Sequence, residues 1–329
     1  MKIQWRVLAM PLVLMALALT MVLPAHSFLP QGSGIGSTFV PSAWTTLPIP
    51  WVINPSTTGA NIVGTVPVTT VINNAFDSWH NAPDTTIATT NVGTSGITDA
   101  NNVPAGTNLI CFICTGLNFN GDDGTLGLTL TTYGGSGQIT QASIFFNPAP
   151  GVSGTPICWV TDGTTPCPSG DTPQDLQTVA THEIGHFFGL DHSAIVRAVM
   201  FPYAPTVLTT LSFDDVAAIS FLYPNSAPQV QTGSISGQVT LSGTGVFGAH
   251  VFANSTSNVN PFGAFINIRK SPIGTLTFPD GTYTITGLPV DSYLVIAEPL
   301  DGPVTDSNVS WGAEWGQGSV QTDFTTRWH

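Results

Sequence analysis

Charge is scarce in this chain. Only 8% of its 329 residues are Asp, Glu, Lys or Arg, and six basic residues face 19 acidic ones, for a formal net charge of −13. So few cations exclude nucleic acid and anionic membrane surfaces as natural partners. Long apolar runs are equally scarce. The one that approaches membrane-spanning length, Val7 to Leu23, is interrupted by Pro11 and lies at the N-terminus. Lys2 and Arg6 precede it and Ala25-His26-Ser27 follow it, the pattern of a secretory leader over residues 1–27, with an uncleaved anchor as the alternative and cleavage favoured. Removing that leader takes away two basic residues and moves the net charge to −15. A secreted, extracellular location is therefore expected, with no membrane span in the mature chain. With so little charge, Gly, Ser, Thr and Asn supply most of the polar surface, a composition rich in loops and strands.

Histidine is also rare, at seven residues. Three of the seven nevertheless fall within eleven positions, His182-Glu183-Ile184-Gly185-His186-Phe187-Phe188-Gly189-Leu190-Asp191-His192. On a helix, His182 and His186 project from one face about 6 Å apart along the axis, within reach of one tetrahedral Zn²⁺. If the helix continued, His192 would sit roughly 240° round the cylinder, out of reach. Gly189 solves this, because Gly takes the left-handed conformation that ends a helix and turns the chain back. Three protein ligands leave a fourth position for water, the pattern of a catalytic zinc site. Glu183, next to the first ligand, is the expected general base for that water. Thr172 reads as the helix N-cap, with Pro173 at the first helical position and Asp175 closing a capping-box-like pair. Leu176, Val179, Ala180, Ile184 and Phe187 recur at helical spacing as a core-facing stripe.

H-E-x-x-H-x-x-G-x-x-H is the signature of metzincin endopeptidases. Among these the chain resembles the matrixins: Ser193 follows the third His, and Ala198-Val199-Met200-Phe201-Pro202-Tyr203 is similar to their Met-turn at the family's spacing. The resemblance implies that Met200 forms a hydrophobic floor beneath the metal ligands and that Pro202 helps wall the substrate pocket. Leu211 to Pro224 resembles the closing helix of matrixin catalytic domains, with Ser212 and Asp215 as a capping pair and one of Asp214 and Asp215 bracing the Met-turn. Upstream, Trp44 to Asn54 reads as a first strand and Val68 to Trp79 as a first helix with Val71, Ala75 and Trp79 on one face. Leu126-Gly127-Leu128-Thr129-Leu130 resembles the edge strand on which matrixins lay an extended peptide, which places Leu126 and Leu128 beside the substrate. Ile144 to Asn147 reads as the next strand.

The chain also departs from the family. The matrixin Tyr four residues after the Met is Ala204 here, with Tyr203 one position earlier, which puts the pocket wall in doubt. Between residues 28 and 249 the only other His is His80, so the cluster for a second, structural zinc is missing and one catalytic Zn²⁺ is expected. Asp122, Asp123 and Asn147 offer oxygen atoms to Ca²⁺, although a polar turn is the stronger reading. Cys111, Cys114, Cys158 and Cys167 suggest two disulfides in an exported protein. Neighbour pairing is the simplest of three connectivities, and a four-Cys zinc site is the rival reading. None of the four precedes residue 111, so the Cys that holds matrixin zymogens latent has no counterpart between residue 28 and Trp44.

After a polar linker over 227–232 the pattern becomes alternating, with turn signals such as Asp280-Gly281. Residues 233–300 resemble the small β-sandwich modules called carboxypeptidase regulatory-like domains, through S-G-x-V, G-A-x-V and the run from Asp280 to Tyr293. His250 lies isolated in a strand there and reads as a packed residue. Residues 301–329 form a tail without a clear pattern.

The expected architecture is α+β. A metzincin catalytic domain over 28–226, with a twisted mixed sheet, an active-site helix and a C-terminal helix, precedes a small all-β sandwich. The expected function is a secreted zinc endopeptidase acting on proteins or peptides through a zinc-bound water that Glu183 activates. The alternative is a surface- or matrix-binding protein with a vestigial zinc domain.

Overall fold

Strand β1 (Ile49–Asn54) alternates buried Ile49, Trp51 and Ile53 with outward neighbours, which is the period of a half-buried strand. It opens later than expected because Trp44 is engaged elsewhere: its backbone N–H donates to the Tyr223 hydroxyl at 3.0 Å and its indole to the Phe187 carbonyl at 2.8 Å. The computed structural model describes residues 28–117, 119, 124–205, 207–257, 260 and 268–329; the leader over 1–27 and the pair Asp122 and Asp123 lie outside the described residues.

Helix α1 (Val68–His80) buries Val71, Ile72, Ala75, Phe76 and Trp79, an i, i+1, i+4, i+5, i+8 stripe. That stripe lies over β1, where Trp51 stacks on Phe76 at 4.8 Å between ring centroids. β2 (Thr89–Thr94) and β3 (Leu109–Cys111) flank β1, and β4 (Gly127–Tyr133) and β5 (Ile139–Phe146) complete a five-stranded sheet of order β2-β1-β3-β5-β4. All its pairings are parallel except the last, β4 against β5, which leaves β4 as an antiparallel edge. Two further strands, β6 (Thr155–Val160) and β7 (Thr172–Asp175), pair in parallel and lead into helix α2 (Leu176–Phe187).

Here the helix start needs correction. Thr172 and Pro173 belong to β7, opposite Ile157 and Cys158, and the N-cap is Asp175. Its Oδ1 accepts from the Thr178 backbone N–H at 2.7 Å and from the Thr178 hydroxyl at 2.8 Å. Strand pairing with β6 claims the residues that local preference assigns to a cap, and Asp is as good an N-cap as Thr. Cys111 pairs with Cys114 and Cys158 with Cys167.

Helix α3 (Phe213–Leu222) starts as its capping pair suggests, with Ser212 and Asp215 bonded reciprocally. Beyond it, β8 (Thr232–Gln238) pairs antiparallel with β11 (Thr282–Pro289). A four-stranded antiparallel sheet runs β10 (Ile273–Leu276), β9 (His250–Ser255), β12 (Tyr293–Glu298), β13 (Arg327–Trp328). This β-rich region packs on the back of α3. Gly287 in β11 has φ +70° and lies so near that a Cβ there would stand 2.8 Å from that of Ala217. Val216 and Ala217 of α3 and Ala249, Val251, Ile285 and Leu288 belong to one buried apolar cluster that also holds β1, α1 and α2. Within the tail, two single-turn helices, α4 (Asp306–Val309) and α5 (Trp311–Glu314), precede β13. No helix among the described residues is long and apolar enough to cross a membrane.

Candidate metal centre

His182 and His186 point from one face of α2, with ring centroids 4.8 Å apart. The helix ends at Gly189, whose φ is +97° and where any Cβ would press 2.2 Å from the Ser42 carbonyl. Gly189 N–H donates to the His186 carbonyl at 2.9 Å and Leu190 N–H to that of Gly185 at 3.0 Å, which together make a Schellman turn. Leu29 to Gln31 lie against this turn: Gln31 N–H donates to Gly189 and Asp191 N–H to Leu29. The reversal carries His192 back to 5.3 Å from His182 and 4.9 Å from His186, again between ring centroids. One nitrogen from each of the three rings lies within 4.8 Å of the others.

Each ring is oriented by a carbonyl. Nδ1 of His182 is 2.8 Å from the Val199 oxygen, that of His186 is 2.8 Å from Leu190 O, and that of His192 is 2.7 Å from Asn308 O. A carbonyl can only accept, so each Nδ1 carries the proton and each Nε2 keeps a free lone pair. Burial holds all three imidazoles below the usual His range; His182 is lowered to about 4, with His192 adding to the effect, and His186 well below its normal value, with His182 and His192 adding. Three neutral, converging Nε2 donors backed by fixed acceptors are the donor set that suits Zn²⁺.

Glu183, next in sequence to His182, meets the edge strand β4. Its Oε2 accepts from the Thr129 hydroxyl at 2.6 Å. Burial raises its carboxyl to about 7, against the lowering effect of that hydrogen bond. Gly127 leaves the room: a Cβ there would lie 2.7 Å from Glu183 Oε1. Thus Gly127 and Thr129 face the carboxylate while Leu128 and Leu130, on the opposite face of β4, are exposed. Of the proposed pocket residues, Leu128 is exposed and Leu126 half-buried against the core. Pro202 is half-buried, and Tyr203 is 55% exposed with its ring edge-on to Phe201. Asn147 makes hydrogen bonds within the protein: its amide donates to Thr125 O at 2.9 Å and its Oδ1 accepts from Ala149 N–H at 3.1 Å.

Met200 packs against α2 at Gly185, which lies between His182 and His186 in sequence; it is 2% exposed, with its sulfur 2.2 Å from where a Cβ on Gly185 would stand. Its turn is held by Asp215, which accepts Val199 N–H at 2.8 Å and Met200 N–H at 3.2 Å. Asp215 also accepts the Ser212 N–H at 2.8 Å and hydroxyl at 2.7 Å, so a single carboxylate ties α3 to the floor of the metal centre. Asp214 accepts from the hydroxyl of Ser193 at 2.7 Å and from Gly274 N–H at 2.9 Å. Thr129 and Asn308 were not identified from the sequence. Thr129 sat in the edge-strand segment without a signal of its own, and Asn308 acts through its backbone, which no motif records.

Comparison with known proteins agrees with this geometry. The family model described as Matrixin matches residues 43–224, more than half of the chain. The chain is 42% identical over 67 residues to Metalloendoproteinase 1 of Glycine max, covering 20% of this chain and 22% of that protein. It is 35% identical over 86 residues to Karilysin of Tannerella forsythia (26% and 18%) and 38% identical over 72 residues to Stromelysin-3 of Xenopus laevis (20% and 15%). The matched stretches thus span about a fifth of the length of these relatives.

Proposed function

The chain belongs to the matrixin family, and from that premise we propose that it is a secreted zinc-dependent endopeptidase that cleaves protein or peptide substrates. The observation that carries this reading is the convergence of three neutral imidazoles on one point beside a buried, ordered carboxylate. His182, His186 and His192 would hold the ion through Nε2. Zinc, when bound, supplies a Lewis acid for the scissile carbonyl and lowers the pKa of a water it holds to about 7.

The protein's own groups do the rest. Glu183 accepts the proton of the attacking water and delivers it to the departing amine. Burial favours the neutral carboxyl, which helps Glu183 hold the proton between the two transfers. Thr129 would leave Oε1 the freer oxygen of Glu183, since its hydroxyl lies 2.6 Å from Oε2 and 3.0 Å from the Glu183 carbonyl oxygen. An extended substrate would add to the free edge of β4, where Leu128 and Leu130 present exposed side chains. Pro202 and Tyr203 follow the Met-turn, where they would contribute to the substrate pocket. An intact Glu183, ordered by Thr129, favours an enzyme over a binding protein with a vestigial site.

The test compares full-length protein with Glu183→Gln on an unfolded protein such as casein. Cleavage by the wild type, lost on chelation and restored by zinc, is expected. The variant should keep its metal and lose at least about a hundredfold in turnover, the usual contribution of a general base. Near-normal turnover by Glu183→Gln would remove Glu183 from this role.

A further inference from the structure

His192 is the ligand with the least local support. His182 and His186 are fixed by α2, and their acceptors, Val199 and Leu190, belong to the same matrixin-matched region. His192 follows the helix on irregular backbone; Asp191 accepts its N–H at 2.7 Å but stands 3.9 Å from Nδ1, so the hydrogen bond at Nδ1 is the shorter contact that orients the ring. That acceptor, the carbonyl of Asn308, lies 116 residues further along the chain and well beyond residue 224.

The carbonyl is both available and held. Asn308 sits near the end of the four-residue helix α4, where carbonyls have no donor within the helix. The turn is closed at its start by Asn308 itself, whose N–H donates to Thr305 O at 2.9 Å and whose Oδ1 accepts Thr305 N–H at 2.9 Å. Just after it, Ser310 adopts φ +53° and donates its N–H to Asp306 O at 2.7 Å. Asp306 then accepts Gly312 N–H at 2.8 Å. Two buried side chains anchor the segment, Val309 and Trp311, and the Trp311 indole donates to Thr277 O at 3.0 Å.

We infer that residues 305–312 are the positioning element of the third metal ligand, so that zinc affinity depends on docking of the C-terminal tail. This inference rests on the zinc reading above. An acceptor that fixes a ligating imidazole is typically worth 10–100-fold in metal affinity. The dependence is reciprocal: bound zinc must favour the docked tail by the same factor. The region beyond residue 300 is then part of the metal centre and not an appendage to it.

The experiment uses full-length protein, zinc competition against a fluorescent chelator, and NMR of the imidazole N–H protons in the zinc-loaded state. Wild type should bind one zinc and show three slowly exchanging Nδ1–H protons, with a cross-relaxation peak between that of His192 and protons of Asn308 or Val309. Ser310→Pro, which cannot adopt positive φ, should weaken zinc 10–100-fold and lose the His192 signal alone. Trp311→Ala should do the same by removing the anchor, while Ser310→Gly, which tolerates positive φ, should match the wild type. Unchanged zinc affinity in folded Ser310→Pro or Trp311→Ala overturns the inference. So does a wild-type His192 N–H that exchanges freely or lacks the peak to 308–309, a result that needs no variant to fold. A wild type that binds no zinc overturns the proposed function itself, whereas zinc bound equally with and without a docked tail overturns only this inference.

Discussion

The adjacent carboxylates Asp214 and Asp215 give a sharp test, because both are fully buried and their neutral isosteres should behave differently. Asp215 accepts only from groups that include two buried turn N–H donors: Oδ2 takes Val199 N–H, Ser212 N–H and the Ser212 hydroxyl, and Oδ1 takes Met200 N–H. Asn offers one acceptor oxygen. In its better orientation Asp215→Asn keeps the three bonds at Oδ2 and turns an amide NH₂ toward Met200 N–H, which cannot become an acceptor. One buried N–H left unpaired costs about 1–3 kcal/mol, and the remaining bonds lose their charge assistance. A loss of about 2–4 kcal/mol follows. At Asp214, each oxygen has one partner, and one of these is a hydroxyl. Asp214→Asn can keep its oxygen on Gly274 N–H and donate its amide to Ser193 Oγ, because a hydroxyl accepts as well as donates, and only the Ser193 hydroxyl proton then loses its acceptor. The cost should stay at about 1 kcal/mol, below that at Asp215, because a hydroxyl hydrogen can rotate to another acceptor and a backbone N–H cannot. Burial also raises the Asp214 carboxyl to about 7 from its usual 3.8. Its favourable protonated form is therefore fully present below about pH 3.8 and lost as pH rises through about 7, so Asp214→Asn should gain on the wild type over that window. Urea unfolding of both zinc-saturated variants at pH 5 and pH 8 reads these differences. Equal losses at the two positions, or a larger loss at Asp214, would refute the reasoning.

Other expectations are simpler. Thr129→Val removes the hydroxyl at 2.6 Å from Glu183 while keeping its volume; kcat should fall on the order of tenfold with zinc stoichiometry unchanged, and Thr129→Ser should restore it. Steady-state kinetics decide this, and an unaltered kcat in the Val variant would leave Thr129 without a positioning role. Gly185→Ala places a methyl 2.2 Å from the Met200 sulfur and 2.9 Å from the Trp79 ring, an overpacking cost of about 1–3 kcal/mol visible in thermal unfolding. Replacing Cys158 and Cys167 by Ala opens a short loop, with sequence separation 9, and should cost about 2–3 kcal/mol in denaturant titrations. No change in midpoint would show that the loop is constrained by its other contacts.

The parts of the centre that could be read in advance are those set by residues close in sequence. Helical geometry puts His182 and His186 together, and only Gly tolerates the φ of +97° that returns His192. The Ser212–Asp215 capping pair was visible for the same reason, as was the apolar stripe of α2. Local signals failed where pairing partners compete: Thr172 and Pro173 resemble a helix start until β6 takes them into a strand.

What required the tertiary structure is the surroundings of those ligands. Thr129 reaches Glu183 across 54 residues, and the Asn308 carbonyl reaches His192 across 116. Neither pairing leaves a mark in spacing or composition, because a strand hydroxyl and a backbone oxygen are present everywhere in a sequence. The chain specifies the three histidines, Glu183 and the turn between them through short-range backbone geometry. The orientation of the three imidazole rings, the pairing of Glu183 with Thr129, and the placement of residues 305–312 at the third histidine are set by long-range packing and hydrogen bonding in the folded chain.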